Sequence, residues 1–237
     1  MPSISENPQN HHMREMFTRI AGMYDRLNRV LTLGIDVLWR RRALARLQNV
    51  EAVLDLATGT ADLAIATARR FPAARVTGID LTPAMLEVGR AKVARAGLAV
   101  RIDLREGDAS ALPFEAASFD TVTCAFGFRN FPDRVRALQE VFRVLKPGGR
   151  LLVLELFRPK SRVLGGLTAA WLRRVSPFFA GEAQRDYAYL RASIAGTCST
   201  EEFVDSARRV GFSDEFLTFF LPSCTCLVLR KCDKITV

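Results

Sequence analysis

Asp55-Leu56-Ala57-Thr58-Gly59-Thr60-Ala61-Asp62 is the stretch that decides the fold of this 237-residue chain. Val53 to Ala57, which leads into it, is mostly apolar and suits a buried strand, and the residues that follow, through Ala68, suit a helix. The chain must turn sharply between them, which puts a ligand site over the strand's carboxyl end. Gly59 lets the backbone approach such a ligand, and the small side chains of Ala57 and Ala61 leave it room. A dinucleotide fingerprint would carry three glycines here to admit a pyrophosphate. This loop carries one, so a ligand without phosphate at that point is expected.

On either side of the loop, strands alternate with helices. Arg75 to Asp80, Val100 to Leu104, Phe119 to Phe126 and Arg150 to Phe157 read as the second to fifth strands, the last buried on both faces. Pro83 opens the helix after the second strand, where a missing N–H costs little. A helix over Asp133 to Leu145 should stop at Lys146-Pro147-Gly148-Gly149. Such alternation builds a parallel sheet from βαβ units. Phe216 to Leu221 and Thr225 to Arg230 are separated only by Pro222-Ser223-Cys224, which permits a hairpin but no parallel crossover. A mostly parallel sheet ended by an antiparallel hairpin is the pattern of the α/β, Rossmann-like class I fold of S-adenosylmethionine-dependent methyltransferases, here with N-terminal helices. One domain is expected: a polar tail over 1–13, a helical segment over 14–50 interrupted near Leu33-Gly34, a cofactor-binding core over 51–157, and acceptor-site helices with the hairpin over 158–237.

Lys and Arg number 34 against 25 Asp and Glu, and the net charge of +9 favours acidic partners without choosing among them. Cys124, Cys198, Cys224, Cys226 and Cys232 are odd in number and lack metal-ligand spacing, so free thiols in a cytoplasmic protein and no metal are expected. No stretch reaches the ~20 apolar residues of a membrane span, and the polar N-terminus does not read as a secretory signal. His11-His12 reads as solvated.

Two further strand ends carry acidic residues. Asp80, followed by Leu81, can accept both hydroxyls of a ribose; the structural alternative is a cap on the helix after Thr82. Gly107-Asp108-Ala109 places a carboxylate for an adenine amino group beside a small residue that admits the ring. An Asp after Gly is ordinary turn chemistry, and its weight comes from being the third such site at three successive strand ends.

Met16-Phe17, Tyr24-Asp25 with Asn28, Gly34-Ile35, Leu38-Trp39-Arg40, Phe126-Gly127-Phe128-Arg129-Asn130 and Leu145 to Leu151 together resemble the quinone-biosynthesis C-methyltransferases. Those enzymes methylate demethylmenaquinol or the equivalent ubiquinone precursor, and the similarity covers roughly Met16 to Leu190. The resemblance implies S-adenosylmethionine as cofactor and carries cofactor contacts onto Thr60, Asp80, Asp108 and Ala109, beside Asp55, Ala57, Gly59 and Leu81 of the same strand ends. Ala125 stands where the family usually has serine, and Ala61 where it usually has glycine, which should tighten the space beside the cofactor carboxylate. Gly196-Thr197-Cys198 and the tail from Cys224 depart from the family.

If the acceptor is a quinol ring carbon, a base near its hydroxyl would help. Candidates are Tyr24, Asp25 and Tyr187, with Arg129 and Asn130 to bind or polarise the ring oxygens; structural roles stand beside each, such as a cap for Asp25 or an ion pair for Arg129. A prenylated quinol implies visits to an anionic membrane surface. Val163 to Leu172, flanked by Lys160, Arg162 and Arg173-Arg174, with Phe178-Phe179 beyond, reads as a basic amphipathic helix for that purpose or as a core helix. Arg40-Arg41-Arg42 is similarly open. Homodimerisation is left open. Nucleic acid is not expected as a partner, for want of an aromatic-basic stacking tract. The rival readings are a methyltransferase for another small molecule, a nicotinamide-dependent oxidoreductase, and a non-catalytic module of the same fold.

Overall fold

The computed structural model describes residues 8–158, 196–219 and 224–232, with single positions at 163, 166, 170 and 174. Three helices come first: α1 (Pro8–Ile20), α2 (Tyr24–Thr32) and α3 (Ile35–Leu44). There follow β1 (Ala52–Leu56), α4 (Asp62–Arg70), β2 (Arg75–Asp80), α5 (Pro83–Arg95), β3 (Ile102–Glu106), β4 (Phe119–Ala125), α6 (Arg134–Val144) and β5 (Leu145–Leu156). The last described elements are α7 (Thr200–Val210), β6 (Phe212–Phe219) and β7 (Cys224–Lys231).

Among the described residues the strands form a seven-stranded sheet in the order β3-β2-β1-β4-β5-β7-β6. The first five pair in parallel, and β7 runs antiparallel between β5 and β6. The order reverses beside β1, whose neighbours are β2 and β4. At such a switch point the connections leave in opposite directions and open a crevice at the carboxyl ends of the strands.

Side chains alternate between the two faces, as the two-residue strand period requires. Val53, Leu152 and Leu154 pack on one side with Trp39, Leu44, Ala64 and Leu86. Leu54, Leu151 and Val153 pack on the other with Val122, Leu138, Val141 and Phe203. Leu151 to Leu154 are fully buried, which matches the reading of this strand as covered on both faces. Cys224 and Cys226 lie together in the first cluster, where burial pushes the Cys226 thiol up to about 12. The five cysteines are all free, and the described residues hold no cluster of three potential metal ligands.

Several boundaries differ from the sequence reading. Strand β6 begins at Phe212 instead of Phe216, and the N-terminal helical segment breaks between Ile20 and Tyr24 as well as at Leu33-Gly34. The tail expected over 1–13 is helical from Pro8, and Asn10 within it is buried. Strand β3 begins at Ile102 instead of Val100, because a turn from Leu98 to Arg101 leaves Val100 84% exposed. The shift is two residues, so the alternation of faces survives. Lys146 to Gly149 do stop α6, but they belong to the irregular start of β5, where the pairing slips from Phe119↔Leu145 to Thr121↔Arg150.

Candidate functional site

The carboxyl ends of β1, β2, β3 and β4 open into one cleft of about 800 Å³, its mouth included. Two close approaches of backbone shape it. Gly59, with φ at 53°, adopts the left-handed conformation that glycine tolerates, and a Cβ there would stand 3.3 Å from Met85 Cε. Gly127 brings the loop after β4 against the loop after β1; a Cβ on it would fall 2.6 Å from Ala57 Cβ and 2.9 Å from Cys124 Sγ.

Asp80 ends β2 with its carboxylate in the cleft. Its Oδ2 accepts from the Gly59 N–H and its Oδ1 from the Thr82 N–H, each at 2.9 Å. These bonds brace the turn that leads into α5, whose N-cap is Thr82, and do not cap a helical N–H. They are compatible with ligand binding, since each carboxylate oxygen keeps a second acceptor site. Burial raises the Asp80 carboxyl above its ordinary range against the pull of those two bonds. Asp108 Oδ1 accepts from the Ser110 N–H at 2.8 Å and from Ser110 Oγ at 2.7 Å. Its Oδ2 accepts from Asn10 Nδ2 at 3.3 Å, so α1 reaches across the cleft to the third strand end.

Much of the remaining wall is apolar. Met13 and Phe17 come from α1, Tyr24 from α2, and Phe126 and Phe131 from the loop after β4. The rings of Phe17 and Tyr24 meet edge to face at 5.9 Å. Phe126 holds a left-handed φ of 60°, a conformation costly for a bulky side chain. Its ring packs against Trp39 at 6.3 Å, with the Arg40 guanidinium 5.5 Å from its centre.

Of the cofactor positions expected from sequence, Ala57, Gly59, Asp80, Leu81, Asp108, Ala109 and Ala125 line the cleft. Asp55 and Thr60 do not. Asp55 is buried beneath the loop and accepts from Thr58 Oγ1 and Thr123 Oγ1, both at 2.6 Å. Burial pushes its carboxyl up to about 6. Thr60 Oγ1 donates to Asp25 at 2.5 Å, on the side where Lys92 bridges Asp25 and Asp62. Ala61 also lies away from the cleft: it caps α4 with φ at 65° and is fully buried in the core.

The candidate catalytic residues separate in the same way. Tyr24 and Asn130 line the cleft, and the side-chain amide oxygen of Asn130, Oδ1, is buried without a hydrogen-bond partner among the described residues. Burial, the largest influence, raises the Tyr24 phenol above its ordinary range despite the nearby Arg129 charge. Asp25 is engaged by Lys92 and Thr60, outside the cleft. Arg129 is drawn into a buried ion pair with Glu155 at 2.7 Å and donates to the Phe126 carbonyl at 2.6 Å. Tyr187 lies outside the described residues, as does most of Val163 to Leu172. The sequence reading missed Asn10, Met13 and Phe17. The spacing of Met13, Met16, Phe17 and Ile20 on one helical face was the available signal.

Carboxylates at two successive strand ends, facing an apolar cleft across a loop with no phosphate cradle, suit a nucleoside carried on a sulfonium. Asp80 has acceptor capacity for ribose hydroxyls, Asp108 for an exocyclic amino group, and Ala109 leaves a ring room. The chain is an S-adenosylmethionine-dependent methyltransferase of the class I fold. It belongs to the ubiE/COQ5 methyltransferase family, whose model matches residues 5–219. It is 46% identical to the demethylmenaquinone methyltransferase of Thermus thermophilus over 211 residues, covering 86% of this chain and 95% of that protein. The demethylmenaquinone methyltransferase of Deinococcus radiodurans is 43% identical over 226 residues, 92% of each chain. Among solved structures, a methyltransferase from Thermotoga maritima superposes with a TM-score of 0.67 at 22% identity, covering 93% of this chain and 100% of that one. Phosphoethanolamine N-methyltransferase 2 of Haemonchus contortus, in complex with S-adenosyl-L-methionine, gives 0.64 at 17% identity, covering 84% and 53%. At these identities the structures speak to the fold alone.

Proposed function

We propose that this chain transfers a methyl group from S-adenosylmethionine to a ring carbon of a polyprenylated quinol, demethylmenaquinol before other acceptors. The observation that carries this reading is the wall facing the two carboxylates: the rings of Phe17, Tyr24, Phe126 and Phe131 with Asn130 among them. A flat aromatic acceptor fits between such rings, and the names of the relatives point to the same chemistry.

The bound cofactor supplies an already activated methyl group, so alignment and exclusion of water are what the protein must add. Asp80 and Asp108 hold the nucleoside, and the apolar side chains of α1 and α2 cover the cleft. Asn130 accepts from a ring hydroxyl through Oδ1. Tyr24 stays protonated, because burial disfavours its phenolate, and serves as a hydrogen-bond donor to a ring oxygen instead of a base. Arg129 acts by holding the loop that carries Phe126 and Asn130. A prenylated acceptor also implies peripheral attachment to a membrane.

Calorimetry with S-adenosylmethionine, NAD as control, and Asp80→Asn tests the cofactor half. Affinity should fall about tenfold in the variant, the cost of one hydrogen bond to a charged group, with no heat from NAD. Transfer of labelled methyl to short-chain demethylmenaquinol, set against a short-chain ubiquinone precursor, tests the acceptor half. Tight cofactor binding with neither quinol labelled would overturn the acceptor assignment.

A further inference from the structure

The surface of α2 and α3 exposes apolar side chains that the fold does not use. Among the described residues, six exposed large apolar side chains fall between Met23 and Leu38, and four are scattered elsewhere. The six are Met23, Val30, Leu33, Ile35, Val37 and Leu38. Isolated exposed hydrophobes are normal on a soluble surface, but this many within two short helices and their connection form a patch, and patches mark interaction sites.

Leu33 stands out further. It sits at the tip of the hairpin, 69% exposed, with φ at 53° in the left-handed region that disfavours side chains with a Cβ. A glycine or asparagine would satisfy the turn without strain and without exposing a leucine. Neither backbone geometry nor packing accounts for leucine at this place, whereas an apolar environment outside the protein does.

Charge decides what that environment is. The segment from Met23 to Arg46 contains Arg26, Arg29, Arg40, Arg41, Arg42 and Arg46 against Asp25 and Asp36 alone. Both acids are taken up internally, Asp25 by Lys92 and Asp36 by Arg29 and Arg40. Arg26, Arg41 and Arg42 are exposed and form no ion pair among the described residues. An apolar patch beside uncompensated guanidinium groups complements an anionic lipid interface, where arginine meets phosphate and leucine meets the acyl boundary.

We propose that the α2–α3 hairpin is the surface by which this protein docks on an anionic lipid bilayer, with Leu33 and Val37 entering the interface and Arg26, Arg41 and Arg42 engaging acidic headgroups. This rests on the reading of a prenylated acceptor and adds where the membrane is met. Helix α2 then serves both environments: Tyr24 faces the cleft, and Arg26 and Val30 face outward. Lipid contact through this hairpin brings the bilayer to the helices that cover the cleft.

The test is co-sedimentation of the full chain with vesicles of phosphatidylcholine alone and of phosphatidylcholine mixed with phosphatidylglycerol. The variants are Leu33→Ser with Val37→Ser, and Arg41→Gln with Arg42→Gln; all four side chains are exposed, and unchanged thermal melts establish that both variants fold. The wild type should bind mixed vesicles and release in high salt. The arginine variant should bind them about thirtyfold more weakly, from about fivefold per lost cation at such a surface, and the apolar variant should bind weakly at any salt. Both should methylate a short-chain soluble quinol at the wild-type rate and lose rate only on acceptor embedded in vesicles. Wild-type vesicle binding that both variants retain overturns the proposal, as does a wild type that ignores mixed vesicles. So does a wild-type dimer that the apolar variant splits without loss of vesicle binding, because the face would then join two copies. Absence of methylation of the short-chain quinol strikes at the acceptor reading and leaves the vesicle result to judge the docking surface.

Discussion

Arg129 and Glu155 are joined twice: guanidinium Nη1 donates to Oε1 at 2.7 Å, and the backbone N–H of Arg129 donates to Oε2 at 3.1 Å. Both side chains are almost wholly buried. One carboxylate on β5 thereby fixes both the side chain and the backbone of the loop whose Phe126, Asn130 and Phe131 wall the cleft. Removing one partner of such a pair strands a buried charge and costs about 3–5 kcal/mol. Glu155→Ala should therefore lose that much in urea unfolding, and Arg129→Met combined with Glu155→Leu should recover most of it. A loss below about 1 kcal/mol in the single variant would mean that the pair does not hold the loop.

Gly127→Ala should be destabilising and should narrow the cleft. The new methyl would overlap Ala57 and Cys124, and overpacking of this kind costs about 1–3 kcal/mol. Ala57→Gly in the same chain removes the closest of the clashing atoms, so the double variant should regain part of both stability and cofactor affinity. Additive losses in the pair would contradict the contact.

Asp55 predicts an inverted pH dependence. Its carboxyl is held at about 6 instead of 3.8, so the folded state binds that proton more tightly than the unfolded state, by about 3 kcal/mol. A raised acid pKa contributes stability that is complete below about 4 and is lost as pH rises through about 6. Asp55→Asn, which can still bond Thr58 and Thr123, should therefore gain on the wild type as pH rises from 4 to 8. Denaturant melts at pH 4, 6 and 8 would show a growing difference, and a constant difference would refute it.

Asn10→Asp should loosen α1. The substitution places a second carboxylate against Asp108, where the amide now donates, and like charges in contact repel. Hydrogen exchange across Pro8–Ile20 should quicken near pH 7, and cofactor affinity should fall severalfold. Acidification that protonates one carboxylate should restore both. Unchanged exchange would show that α1 is held by its apolar contacts and the Arg14–Glu106 ion pair without help from Asn10.

Much of this architecture was legible along the chain because its cues are local. Arg75–Asp80 and Phe119–Ala125 lie within a residue of where the β-rich runs between helices put them, and the hairpin follows from a connection too short for a crossover. Asp80 and Asp108 could be identified because each follows directly from the end of a strand. Asn10 and Phe17 could not, since nothing near them in sequence says which distant strand end their helix will cover. Asp25 and Arg129 could not be assigned for the same reason: their roles depend on Lys92 and Glu155, partners 67 and 26 positions away.

The order of apolar runs, turns and acidic strand ends in this sequence was enough for the fold class and for a ligand site over the loop after β1, because backbone geometry ties each of these to residues a few positions apart. The cofactor's identity came from the resemblance to a family. Which acidic or basic side chain faces the cleft, which is neutralised beneath it, and which face of the N-terminal helices stays exposed emerged only when the chain closed. Those outcomes depend on burial and on charge pairs between elements far apart in sequence, and a carboxylate reads the same in a sequence whether it meets a ligand, a lysine or two threonines.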